Sequence, residues 1–171
     1  MPDKETILFG IPVPSDDKLF LTIVGIHILL GIICVLSGFV SMISKKGGRL
    51  HRAGGKVYYW GLMLVFITVV PLSIIRWPFN NHLFVLGGLS LFSAYFGRRL
   101  AHNQRTGWTR LHTVFMGTSY ILLLTAFYVD NGKHLPFWSQ FPQLFFWLLP
   151  AAIGVPIIFY ALRHPLNRKK L

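Results

Sequence analysis

Five long apolar runs, separated by short connections crowded with cations, constrain this chain more than any other feature of its sequence. They are roughly Leu19 to Ile43, Val57 to Ile75, Phe79 to Gly97, Leu111 to Val129 and Phe141 to Leu162. A helix needs about 20 residues to cross about 30 Å of hydrocarbon at 1.5 Å per residue, and all five runs approach or exceed that length. The third is the most diluted, because Asn80, Asn81 and His82 lie at its leading end. Only 13% of the residues are charged, 53% are hydrophobic and the mean hydropathy is +0.55. A soluble domain usually carries about 25% charged residues, so lipid is the expected solvent for most of the chain. The sequence therefore predicts an all-α membrane protein, a bundle of about five transmembrane helices forming one compact domain.

The net charge of +12 would suggest nucleic acid in a soluble protein, but here the cations follow connections rather than one face. Lys45, Lys46, Arg49, Arg52 and Lys56 occupy residues 44–56; Arg98, Arg99, Arg105 and Arg110 occupy residues 98–110; Arg163, Arg168, Lys169 and Lys170 close the chain. All five acids, Asp3, Glu5, Asp16, Asp17 and Asp130, fall on the opposite side of the proposed spans. The positive-inside rule then predicts the N-terminus outside, the C-terminus in the cytoplasm and a bacterial inner membrane as the location. Three segments follow: an extracytoplasmic stretch over 1–18, the transmembrane domain over 19–164 and a basic cytoplasmic tail over 165–171. The acids near the N-terminus argue against a cleavable signal peptide. Trp60 and Trp108 are expected near the inner interface and Trp77 and Trp138 near the outer one, with Trp147 an exception. Pro71, Pro150 and Pro156 should bend their helices unless neighbouring groups satisfy the freed carbonyls.

The common motif-borne chemistries are absent. There is no phosphate-binding loop, dinucleotide fingerprint, His-Glu-x-x-His or Gly-x-Ser-x-Gly, and the single cysteine, Cys34, rules out a disulfide or a Cys-x-x-Cys site. Seven histidines remain in a chain almost without acids, and ionisable groups at membrane depth are candidate functional residues. Along straight helices His27 and His82 stand about 24 to 27 Å above the cationic connections, forming an outer layer. His51 and His112 begin helices at the inner interface and form a second layer. Two imidazoles per layer, His27 with His82 and His51 with His112, is the arrangement that clamps a b-type haem in a helical bundle.

Gly31 and Gly55 lie four residues after His27 and His51, on the same helix faces, where a missing side chain leaves room for a macrocycle; Gly117 is less well placed. Arg52, Lys56 and Arg110 are candidates to pair with haem propionates at the inner layer and Arg76 at the outer. A weak internal repeat accompanies these positions: Arg49-Leu50-His51 precedes Tyr59 as Arg110-Leu111-His112 precedes Tyr120. The plainer alternative is that His51, His82, His102, His112, His134 and His164 are ordinary polar residues of the interfaces and that His27 packs two helices through a hydrogen bond.

The stretch His51-Arg52-x-x-Gly55-x-x-x-Tyr59, with His112-x-x-x-Met116, Ser119-Tyr120, the string Thr125 to Gly132 and then Leu135-Pro136, resembles the bacterial membrane family called domain of unknown function 2306. The likeness covers most of residues 20 to 165. It implies a small multi-span bacterial protein with histidines 51 and 112 in motif positions, and it carries no activity with it. The leading functional expectation is a b-type cytochrome passing electrons between a quinone or outer donor and a membrane redox partner, with haem b as cofactor and no nucleic-acid partner. The alternative is a cofactor-free transporter or accessory subunit of a membrane complex. A histidine-based metal or proton carrier is disfavoured, since no carboxylate lies inside a span.

Overall fold

The computed structural model describes residues 6–8, 11–13, 17–77, 79–103 and 107–163. The helices are α1 (Lys18–Ile43), α2 (Arg49–Ile75), α3 (Asn81–Asn103), α4 (Trp108–Asn131) and α5 (Gln143–Leu162), with a single 3₁₀ turn at Gly132–His134. Five helices were expected and five form. Ahead of them lies an element the all-α expectation did not include, two three-residue strands, β1 (Thr6–Leu8) and β2 (Ile11–Val13), paired antiparallel with Thr6 opposite Val13. A two-stranded ribbon of this size contributes little by itself. Asp3, Glu5 and Asp16 of the expected N-terminal segment, residues 165–171 of the expected tail, and Arg105 and His164 between them lie outside the described residues.

Four helices are long and apolar enough to cross a membrane: α1, α2, α4 with its 3₁₀ extension, and α5. Their surfaces suit lipid. Leu19, Leu29, Leu36 and Ile43 of α1 and Leu144, Leu148, Val155 and Phe159 of α5 are all exposed, an apolar display that water would penalise. The third helix differs. Its 23 residues span about 34 Å, but Asn81 and His82 at one end and Arg98, Arg99, His102 and Asn103 at the other confine its apolar stretch to the middle. Length qualifies it as a span and composition does not.

Local sequence explains the helix ends. Asp17 caps α1, its carboxylate accepting from the Leu19 amide at 3.1 Å, and satisfies a donor that the first turn leaves open. Gly47 takes φ +75 in the connection to α2 and Gly107 takes φ +74 before α4, left-handed conformations in which a side chain would be strained. Helix α2 continues through Pro71, and α5 through Pro150 and Pro156.

The chain forms two compact units, Met1–Phe84 and Val85–Leu171, and the division falls within α3. In the first unit α1 and α2 make an antiparallel hairpin whose close approach depends on small residues. Cys34 is fully buried, and a Cβ at Gly61 would stand 2.9 Å from its sulfur. Gly54 is tighter still in kind, because a Cβ there would meet the backbone carbonyl of Ser37 at 3.0 Å and the Ser41 Cβ at 3.3 Å. Toward the other end Phe20 packs on Leu72, and the Arg76 guanidinium lies 5.3 Å from the Phe20 ring. In the second unit the same device joins α4 and α5, with Ile158 filling the space over Gly117 and Ile121 the space over Gly154.

These contacts separate two adjacent glycines. Gly54→Ala forces α1 away from α2 because backbone cannot yield as a side chain can, and should destabilise the protein in detergent by about 1–3 kcal/mol. Gly55→Ala meets only the Ser41 hydroxyl, at an ordinary 3.6 Å, and should leave the unfolding midpoint nearly unchanged. Thermal or dodecyl-sulfate unfolding of the two variants checks the contrast.

Candidate functional site

His51 sits in the first turn of α2, where the short connection from α1 returns the chain beside the end of the preceding helix. Its Nδ1 lies 2.8 Å from the carbonyl oxygen of Ser41 and 3.3 Å from the Ser41 hydroxyl. The same hydroxyl donates to the His51 carbonyl at 3.0 Å. A carbonyl oxygen can only accept, so Nδ1 carries the proton and the neutral ring has its lone pair on Nε2.

His112 repeats the arrangement in the second unit. It lies in the first turns of α4, and its Nδ1 donates to the carbonyl of Gly97 on α3 at 2.8 Å, with the Trp108 ring 6.0 Å away. The correspondence extends along both hairpins. Seven residues before Ser41 is Cys34, whose thiol donates to the carbonyl of Tyr58, seven residues after His51, at 3.8 Å. Seven residues before Gly97 is Ser90, whose hydroxyl donates to the carbonyl of Ser119, seven residues after His112, at 2.8 Å. Each hairpin thus carries two rungs in one register: an imidazole given to the preceding helix, and a thiol or hydroxyl given back. The repeat first visible in Arg-Leu-His is a repeat of hydrogen bonding.

His27 is half-buried on α1 and meets the Thr68 hydroxyl of α2 through Nδ1 at 2.8 Å. The Thr68 hydroxyl also lies 2.7 Å from the Val65 carbonyl, and His27 shares that backbone partner, so ring, hydroxyl and carbonyl form one cluster between α1 and α2. His82 is the second residue of α3 and half-buried. The turn before it is level with Ser73, whose hydroxyl donates to the Asn80 carbonyl at 3.4 Å.

Arg52 and Arg110 are exposed beside His51 and His112, and Arg76 is half-buried at the far end of α2. Tyr59 is buried and Tyr120 half-buried. Gly55 faces Ser41, while a Cβ on Gly31 would meet nothing within 4 Å. His102 and His134 are exposed. Among the described residues no three His, Cys, Asp or Glu side chains gather into a metal-binding group. The donor set is therefore single imidazoles held in a defined tautomer, which can serve as axial ligands to a macrocycle that supplies its own equatorial nitrogens.

Reading for histidines alone misses Ser41, Thr68 and Gly97, which meet the rings, and Ser90, which forms the second rung with Ser119. A signal for three of them was present, since Cys34 and Ser41 share the seven-residue spacing of Ser90 and Gly97. Thr68→Val should cost about 1 kcal/mol by removing the hydroxyl that His27 meets across the helix pair. Thr125→Val should cost far less, because the Thr125 hydroxyl bonds only to Ile121 of its own helix. Unfolding of both variants in one detergent measures the difference. No protein-family model, curated protein or solved structure matches the chain.

Proposed function

We propose that this chain is a multi-span protein of the bacterial inner membrane that binds haem b through imidazoles and passes electrons between a quinone or outer donor and a membrane redox partner. The observation that carries the reading is the shared use of one ring nitrogen: His27, His51 and His112 each place Nδ1 2.8 Å from an oxygen of the neighbouring helix, and for His51 and His112 that oxygen is a carbonyl, to which Nδ1–H donates. Metal-ligating histidines characteristically use the second nitrogen in this way, which fixes the ring and makes Nε2 the more basic donor. His82 completes the ligand set. Bound haem would supply one-electron chemistry; the Ser41 and Gly97 carbonyls and the Thr68 hydroxyl orient the rings, and Arg52 and Arg110 pair with propionates. The resemblance to domain of unknown function 2306 belongs to the same proposal, with histidines 51 and 112 as its shared positions.

In this reading α3 crosses the membrane as well. Helices α2 and α4 both begin in cationic connections, so the chain must return between them, and α3 is long enough to do so. The N-terminus is then outside and the C-terminus cytoplasmic.

The histidine bonds also favour a second reading, in which they only clasp helices of a cofactor-free transporter or accessory subunit. Expression with added haem followed by purification in detergent decides between them. The haem reading expects a Soret band that His51→Ala and His112→Ala each diminish while the variants remain folded; a colourless, folded wild-type protein overturns it. For the topology, single cysteines placed at Lys46 and His102 on a Cys34→Ser background should label from the cytoplasmic side and one at Asp130 from outside. Labelling of the His102 position from outside would overturn the crossing of α3.

A further inference from the structure

The side of α2 that turns away from α1 is graded along its length. Arg49 and Lys56 stand in its first turns, Trp60 follows one turn after Lys56, and Leu64 and Ile67 continue along the helix; all five are exposed. On a helix of 3.6 residues per turn, Arg49, Lys56, Trp60 and Ile67 fall within about 40° of one another, with Leu64 about 60° from Arg49. His51 projects about 160° from Arg49, toward Ser41 of α1, which fixes the graded face on the side opposite the hairpin partner. Cation, indole and aliphatic groups thus succeed one another on one face, Lys56 about 10 Å beyond Arg49 and Trp60 about 6 Å beyond Lys56. Lys45, in the connection just before α2, is exposed as well. No acid stands in the first turn of α2. Among the described residues the one acid of the first unit is Asp17, which caps α1 about 40 Å along that helix from Ser44.

We propose that this face of α2 binds a phospholipid whose headgroup carries a net negative charge, with Arg49 and Lys56 on the headgroup and Trp60, Leu64 and Ile67 against the glycerol and acyl chains. A soluble anion would use the cations and leave the apolar groups without a partner. A zwitterionic lipid would cover the apolar groups and bring no net charge to the cations. An anionic lipid matches both ends of the gradient in the order in which they occur. Side chains on an α-helix lean toward its start, so Lys56 carries its ammonium toward Arg49 while its methylenes stay on the apolar face. Trp60 then lies where indoles collect, between headgroups and hydrocarbon. The inference rests on the chain lying in a bilayer and is independent of haem. Arg52, given above to a propionate, projects about 60° from Arg49 on the side away from Leu64 and has no part in this face.

Full-length protein in detergent is titrated with phosphatidylglycerol or phosphatidylcholine bearing the same acyl chains, brominated near the glycerol so that they quench tryptophan. The contribution of Trp60 is the difference between the wild type and Trp60→Phe. Phosphatidylglycerol should quench Trp60 at a roughly twentyfold lower concentration than phosphatidylcholine, since each cation near an anionic headgroup is worth about fivefold. Arg49→Gln and Lys56→Gln should each lose about fivefold of that preference, and the two together should erase it. Arg99→Gln with Arg163→Gln removes the same charge from exposed positions of the second unit and should leave the preference intact. Equal quenching by the two lipids overturns the proposal. Equal loss in both double variants does so too, because it would mean diffuse attraction by net charge. Displacement by inorganic phosphate at constant ionic strength overturns it in favour of a soluble anion. A colourless protein that shows the preference removes the haem reading and leaves the lipid face standing, whereas a coloured protein without the preference does the reverse.

Discussion

A hydrogen bond from an imidazole to the backbone carbonyl of a neighbouring helix organises both halves of this protein. A half-buried polar group left without a partner is costly, and the carbonyl of the neighbouring helix supplies one. The Ser41 carbonyl lies in the last turn of α1, where the helix leaves an acceptor open, and the Gly97 carbonyl has two lone pairs, one of which the imidazole can use. Using it ties the start of one helix to the end of the one before. The ring of His51 or His112 is then held in one orientation with its Nδ1 committed to the neighbouring helix.

The close packing of the helices follows from the same requirement. His51 can reach the Ser41 carbonyl only if α1 and α2 lie near enough for Gly54 to approach the Ser37 backbone, and the second rung, Cys34 to the Tyr58 carbonyl, needs the absence of a side chain at Gly61. In the second unit Gly97 serves twice, as the acceptor for His112 and as the space into which Met116 packs. Small residues between membrane helices are often explained by van der Waals contact alone. Here they also place carbonyls within reach of side-chain donors.

Much of the fold could be read from hydropathy and charge. The apolar runs matched helices within a few residues at most ends, and the cationic segments lie at the starts of α2 and α4, as residues 49–56 and 110 required. The third run was the least apolar in sequence, and α3 is the helix whose composition falls short of a span, for the reason visible in Asn81, His82, Arg98 and Arg99. The strands at Thr6–Leu8 and Ile11–Val13 were not foreseen, since six residues of ribbon leave no periodic signal long enough to separate from a connection. Of the candidate site, the histidines were legible as costly residues in an apolar chain. Their partners were not, because a serine, a threonine or a glycine in such a chain is ordinary until the facing helix is known.

The sequence alone determined that the chain would form long apolar helices, four of them apolar enough to cross a membrane among the described residues, and where most of them would lie to within a few residues, because those properties depend on runs of local composition. It also displayed the recurring Arg-Leu-His. Only the tertiary structure decided that His51 and His112 give the same nitrogen to equivalent carbonyls, that His27 meets Thr68 across the helix pair, and that Cys34 and Ser90 form a second rung at the same spacing. Those facts depend on the register between neighbouring helices, and register is set by the interlocking of side chains across a gap of a few ångströms, which no single stretch of sequence contains.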